Sequence, residues 1–125
     1  MILKLKDWSG VLLMATGCIH NGIGLFIMRE PLGDMIQAGV WNAMDRQFDR
    51  AAAFWFMFSG VMVILLGYIV HWAVRRLHVT PPPALGWVLL ALSVIGAMVM
   101  PVSGFWIVLP QACILIVRKD APVTG

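Results

Sequence analysis

Residues 84–117 read ALGWVLLALSVIGAMVMPVSGFWIVLPQACILIV, and the way this apolar run divides decides the fold. A single transmembrane helix needs about 20 residues, so the run is too long for one span and short for two full ones. As one helix it would place the basic pair at 118–119 across the membrane from the pair at 75–76, against the cytoplasmic bias of basic flanks. A break at 100–104, MPVSG, brings both pairs to one side. We therefore predict two short spans, at about 85–100 and 104–117.

Two further apolar runs precede this one, and they predict spans at about 7–28 and 51–74. The first helix should end before Pro31, because proline disfavours helical geometry in the residue before it. The second helix is expected to begin near Asn42, whose side chain can cap free amide groups. All the basic flanks then fall on one side of the membrane, so both termini are predicted to be cytoplasmic.

The composition indicates that the solvent of this chain is lipid. It is 61% hydrophobic and 12% charged, a balance that a soluble domain of this size could not cover with polar surface. The net charge of +3 comes from basic residues beside the apolar runs, which indicates topology and argues against nucleic-acid binding. The sequence therefore predicts one domain, residues 1–125, folded as an all-α integral membrane four-helix bundle.

The connection between the first two spans, residues 29–42, mixes apolar and polar side chains. Met35, Ile36, Val40 and Trp41 alternate with polar residues in a spacing typical of a short amphipathic helix on a membrane surface. Such a helix could act as a lid or simply cover the end of the bundle.

Small residues recur at heptad spacing along the predicted spans. In lipid, such stripes let helix backbones approach closely and gain van der Waals contact, so they predict a tight bundle without a wide aqueous pore. The stripes consist of Gly10, Gly17 and Gly24, then Gly60 and Gly67, then Gly86 and Ser93.

Polar side chains inside the spans are the first place to look for function, because each is costly in lipid unless it has a partner or a purpose. His20 is the candidate catalytic residue, since an imidazole can accept or donate a proton near neutral pH. The alternative is that His20 only holds helices together by bonding Gln111, Ser59 or a backbone carbonyl. The groups expected within about 5 Å of the midplane beside His20 are Asn21, Ser59, Ser93 and Gln111.

A second cluster is predicted at the outer membrane boundary. Arg50, Trp55 and Trp106 could hold the head group of a ligand above an apolar cavity. Glu30 is the nearest carboxylate, and it would have to fold inward to act as a second catalytic group. The alternative for these residues is ordinary interfacial anchoring by tryptophan and arginine.

Metal ions and cofactors are not expected. His20 and His71 would lie roughly 17 Å apart along the membrane normal, too far to ligate one haem iron. The spans contain no histidine, cysteine or carboxylate cluster with metal-ligand spacing. Cys18 and Cys113 lie singly in apolar runs, which predicts two buried free thiols.

Several segments together resemble an uncharacterised family of small bacterial four-span membrane proteins. The resemblance implies a four-helix fold and a bacterial inner-membrane location, and it carries no known activity. More distantly, the chain is similar to DoxX-like proteins and to vitamin K epoxide reductases, although the paired cysteines of the reductases are absent. The segments are 16–20 (TGCIH), 31–32, 50–56, 59–60, 101–106 and 109–111.

Three functions are compatible with these features. The first is binding, and conversion if the protein is an enzyme, of a lipophilic small molecule such as a quinone, terpenoid or sterol-like compound near His20. The second is a non-enzymatic accessory or assembly subunit that packs against a larger membrane complex or a second copy of the chain. The third, a dimeric transporter protomer, is disfavoured because the spans contain no acidic residue away from their ends.

Overall fold

A computed structural model describes residues 6–101 and 103–117, which are all-α and contain no strand. The predicted basic flanks at Lys4, Arg118 and Lys119 lie outside the described residues. Four of the five helices overlap the segments for which spans are expected, and the fifth forms the predicted short helix between the first two. The helices are α1 Ser9–Ile27, α2 Arg29–Gln37, α3 Phe48–Arg76, α4 Pro83–Val99 and α5 Phe105–Ile116.

The boundary between α1 and α2 is set by Pro31. A proline inside a helix clashes with the carbonyl four residues earlier, which here belongs to Ile27, the last residue of α1. The chain breaks at Met28 and a new helix starts at Arg29. Pro31 then lies in the first turn of α2, where backbone N–H groups have no intrahelical partner in any case.

The prediction that the next helix begins near Asn42 is wrong. Gly39, Val40, Asn42 and Arg46 all have positive φ angles, between 52° and 88°, which a right-handed helix excludes. Glycine and asparagine tolerate this left-handed region, so residues 38–47 form turns, and α3 starts only at Phe48.

The antiparallel α1 and α3 pack along the predicted glycine stripes. A Cβ atom on Gly17 would lie 2.8 Å from the carbonyl oxygen of Gly60, and one on Gly67 would lie 2.6 Å from that of Gly10. Real Cβ atoms do not approach backbone so closely, so the two backbones touch only because these residues lack side chains. The heptad prediction is confirmed for this first helix pair, α1 and α3.

The second helix pair, α4 and α5, also packs through a small residue. A Cβ atom on Gly86 would lie 2.7 Å from the backbone nitrogen of Ile116. Between described residues, the two pairs approach each other only through α1 and α5, and α3 approaches neither α4 nor α5. The helix order in space is therefore α3, α1, α5, α4.

The interior of this arrangement is small and the apolar surface is large. The bulkiest side chains that are almost fully buried include Leu13, Leu115, Ser9 and Ser93, whereas many tryptophan, phenylalanine and isoleucine side chains are exposed. By length and composition alone, α1 and α3 could each span a membrane, and α4 and α5 are shorter apolar helices. Cys18 and Cys113 are exposed, so the prediction of buried thiols is wrong: both point away from the helix contacts.

Candidate functional site

His20 projects from α1 onto α3, where three groups surround its ring. Its Nε2 atom lies 2.9 Å from the carbonyl oxygen of Phe56 and 3.3 Å from the Ser59 hydroxyl. The Phe56 ring stacks on the imidazole at 4.0 Å between centroids with 14° between planes. Of the partners proposed for a packing role, the structure supplies Ser59 and a backbone carbonyl, and not Gln111.

Gln111 reaches α1 one turn away from His20. Its Nε2 atom donates a hydrogen bond of 2.6 Å to the Thr16 hydroxyl. Its Oε1 atom is buried and has no hydrogen-bond partner within the described chain, although the residue as a whole is only 6% exposed. A buried carbonyl oxygen without a partner is costly, so this atom lowers the stability that the Thr16 bond provides.

The hydrogen bonds that join the two helix pairs lie toward the start of α1. Lys6 donates to the Val117 carbonyl oxygen, and Gln111 donates to Thr16. Ser9, Thr16 and Ile23 lie seven residues apart and therefore on one face of α1. Ser9 and Thr16 are buried, whereas Ile23 is 49% exposed. We call the part of α1 beyond Thr16, with the groups around the imidazole, the His20 site.

Asn21 lies beside His20 and faces α3. Its Oδ1 atom packs against Gly60, at a point that any larger residue in place of the glycine would occupy. That oxygen is buried without a hydrogen-bond partner in the described residues. Asn21 therefore joins the His20 neighbourhood predicted from the sequence. Ser93, predicted at the same depth, is buried on α4, which does not approach α1.

The residues predicted to form an outer rim are placed differently. Arg50 donates a hydrogen bond of 2.9 Å to the carbonyl oxygen of Ala43, and Trp106 donates one of 2.8 Å to that of Pro101. Both therefore hold nearby turns. Trp55 is 62% exposed and packs edge-on against Phe54 and Phe58 of its own helix. Glu30 is exposed on α2. Among the described residues, none of these four side chains makes a hydrogen bond or ring contact with His20.

Two surface hollows lie at the other end of the first helix pair. One, of about 380 Å³, lies between the start of α1 and the segment after α3 and includes Arg75 and His78. The other, of about 500 Å³, follows one face of α3 and includes Tyr68 and His71. Neither is lined by a residue of the predicted site.

Two contributors to the site were not foreseen from the sequence. Phe56 is not among the predicted site residues, yet its ring and carbonyl contact His20. Thr16 is not among them either, yet its hydroxyl accepts from Gln111. Both carry a sequence signal: Ser59 and Thr16 are hydroxyl residues inside helices, and such residues bond carbonyls three or four positions earlier. No three His, Cys, Asp or Glu residues cluster in the described ranges.

Together these features define a small all-α protein with two helices of membrane-spanning length and an imidazole held between them. The chain belongs to the DUF6463 family, a family of unknown function, whose model matches residues 4–122. Membership of an uncharacterised family agrees with the sequence-based expectation, and the more distant DoxX-like resemblance stays a prediction. No curated protein and no solved structure matches the chain.

Proposed function

We propose that the chain is a multi-pass protein of the bacterial inner membrane, crossing it with α1, α3, α4 and α5 and keeping both termini in the cytoplasm. The distribution of side chains supports this proposal. Small residues fill the helix contacts while large apolar side chains face outward, an arrangement that is unfavourable in water and suits lipid. The basic residues Arg75 and Arg76 at the end of α3 support the orientation.

Within this membrane domain, we propose that the His20 site binds a lipophilic small molecule, such as a quinone, terpenoid or sterol-like compound. The observation that carries the proposal is a half-buried imidazole on an apolar helix, held at Nε2 by the Phe56 carbonyl and the Ser59 hydroxyl. A polar side chain inside a membrane span is costly unless it has a partner or a purpose, and such residues often mark binding or proton-transfer sites. If the molecule is converted, His20 is the residue for proton transfer.

Mass spectrometry of organic extracts from the gently solubilised protein tests this proposal. We expect a stoichiometric lipophilic compound in the wild type that is lost in His20→Ala. His71→Ala is the matched control, because it removes a half-buried imidazole from the far end of α3. Only bulk phospholipid in all three samples would contradict the proposal.

The alternative function is that of an accessory or assembly subunit. The separation of α3 from α4 favours it, because both helices then keep apolar faces that no described residue of the chain covers. Stable co-purification of one partner, together with extracts free of a bound compound, would support this alternative.

A further inference from the structure

The last two turns of α3 carry a polar face that the proposed function does not use. Five residues spaced as i, i+3, i+4, i+7 and i+8 lie on one side of the helix and line the hollow of about 500 Å³: Tyr68, His71, Trp72, Arg75 and Arg76. We propose that this hollow, which we call the α3 hollow, binds one anionic phospholipid, with its phosphate group at the two arginines. The inference rests on the membrane location proposed above and is independent of the His20 site.

The charges around the α3 hollow favour an anion. Arg75 and Arg76 both line it, and its described lining includes no acidic side chain. The hollow of about 380 Å³ that shares Arg75 is less suitable, because Asp7 contributes a carboxylate there. A guanidinium group can donate two parallel hydrogen bonds to phosphate oxygens, so the two arginines supply both the charge and the donors that a phosphate group requires.

The side chain of Arg75 is positioned by Trp8 at the start of α1. The guanidinium carbon lies over the Trp8 ring, 5.4 Å from its centroid. Neither Arg75 nor Arg76 forms a hydrogen bond or an ion pair within the described residues, so their N–H groups can donate to a ligand. The cation–π contact restricts Arg75 before a ligand arrives, which lowers the conformational entropy lost on binding.

Hydrogen-bond donors lie at two depths along the hollow, and this arrangement indicates a phospholipid and not a free phosphate. Trp72 lies about one helix turn, roughly 5 Å, deeper in the proposed span than the arginines, and Tyr68 lies one turn deeper again. Both side chains are exposed, with an indole N–H and a phenol O–H to donate. The ester carbonyl oxygens of a phospholipid follow its phosphate by a few bonds, and they accept hydrogen bonds at this level.

His71, the remaining residue of the face, borders α1. Its backbone packs on Gly10, and its Nδ1 atom is buried without a partner in the described residues. We therefore assign the ligand contacts to the other four residues of the α3 hollow.

Ordinary interfacial anchoring is the alternative to a defined site. In that case Arg75 and Arg76 complement the negative end of the helix dipole and attract anionic lipid by charge alone, with no fixed stoichiometry. The two explanations differ in the number of lipids bound and in the residues on which binding depends.

Native mass spectrometry of the full chain in detergent micelles tests the inference. The probes are dioleoyl phosphatidylglycerol and dioleoyl phosphatidylcholine, which share acyl chains and a phosphate group but differ in net charge. We expect one phosphatidylglycerol per chain, preferred about tenfold over phosphatidylcholine, since the choline group neutralises the charge that the arginines recognise. Excess inorganic phosphate should not displace the lipid.

Three substitutions identify the residues responsible. Arg75→Gln and Arg76→Gln should each lower the preference for phosphatidylglycerol to about threefold or less. Tyr68→Phe should instead weaken both lipids about threefold and keep their ratio, because it removes a donor at the ester level and no charge. Arg29→Gln is the matched control and should keep the wild-type preference. It removes an arginine that also lies over an aromatic ring, 5.6 Å from the centroid of Phe26, at the start of α2.

The outcomes separate the inference from its alternatives. Equal binding of the two lipids to the wild type, or an equal loss of preference in Arg29→Gln, would overturn it in favour of attraction by net charge. Displacement of the lipid by inorganic phosphate, together with no effect of Tyr68→Phe, would overturn the assignment to a lipid. These results leave the His20 site untouched, whereas a chain that stays soluble and monodisperse without detergent would contradict the membrane location itself.

Discussion

The two contacts that α1 makes differ in what holds them together. Against α3, α1 packs glycine on glycine, and the backbones are close at Gly10 and Gly17. Against α5, the hydrogen bonds are made by side chains: Lys6 donates to the Val117 carbonyl and Gln111 donates to Thr16. The first contact leaves no room for a Cβ atom at these glycines, whereas the second relies on polar side chains.

This difference assigns separate roles to the two sides of α1. Close backbone packing gains many small van der Waals contacts and tolerates no rearrangement, so the first helix pair is the rigid part of the molecule. A contact held by two hydrogen bonds is weaker and local. We therefore expect the contact of α1 with α5 to contribute less to stability than its contact with α3. The predictions below test this contrast, from the largest expected effect to the smallest.

The glycine contact should be the most sensitive part of the fold. We expect Gly17→Ala to lower the free energy of unfolding by about 1 to 3 kcal/mol, because the new methyl group would overlap the α3 backbone. Gly22→Ala is the matched control on the same helix, where nothing lies within 4 Å of an added Cβ atom. It should be neutral or slightly stabilising, since alanine favours helix. Unfolding in mixed micelles, followed by circular dichroism, measures both, and equal destabilisation would contradict the contrast.

The polar contact should contribute less. A double-mutant cycle of Thr16→Val and Gln111→Met is expected to give a coupling energy of about 1 kcal/mol, typical of one buried hydrogen bond. Because Gln111→Met also removes an unsatisfied oxygen, its own effect should be smaller than that of Gly17→Ala. A coupling energy near zero would show that the Thr16 to Gln111 bond does not join the helix pairs.

Arg50 should affect the turns before α3 and not the ligand. Arg50→Gln removes the hydrogen bond to Ala43, so we expect amide hydrogen exchange in residues 38–47 to become several-fold faster, corresponding to about 1 kcal/mol. Arg46→Gln is the control, because the Arg46 side chain is exposed and forms no hydrogen bond within the described residues. Loss of the bound compound in Arg50→Gln would instead restore the predicted role of Arg50 in ligand binding.

Periodicity in the sequence predicted the parts of the fold that depend on spacing. The seven-residue recurrence of glycines predicted close helix packing, and Gly10, Gly17, Gly60 and Gly67 do form the contact between α1 and α3. The start of α3 was predicted wrongly because asparagine favours two different positions, the N-cap of a helix and the left-handed region of a turn. The turns on either side of Asn42 place it in the left-handed region.

The site was predicted less completely than the fold. His20, Asn21 and Ser59 do lie together, but Gln111 bonds Thr16, and Phe56 was not predicted to contact His20. Which atoms of a polar side chain remain unpaired depends on distances of a few tenths of an ångström between helices far apart in sequence. Local pattern contains no such information, and the hydrogen bonds of Thr16 and Ser59 became visible only in the structure.

The most direct test of this account is the ¹⁵N spectrum of His20 in nanodiscs, assigned by comparison with His20→Ala. The account predicts that the neutral ring carries its proton on Nε2, donated to the Phe56 carbonyl, and that the His20 resonances shift when the bound lipophilic compound is extracted. A proton on Nδ1 in the neutral ring, or resonances that stay unchanged on extraction, would contradict it.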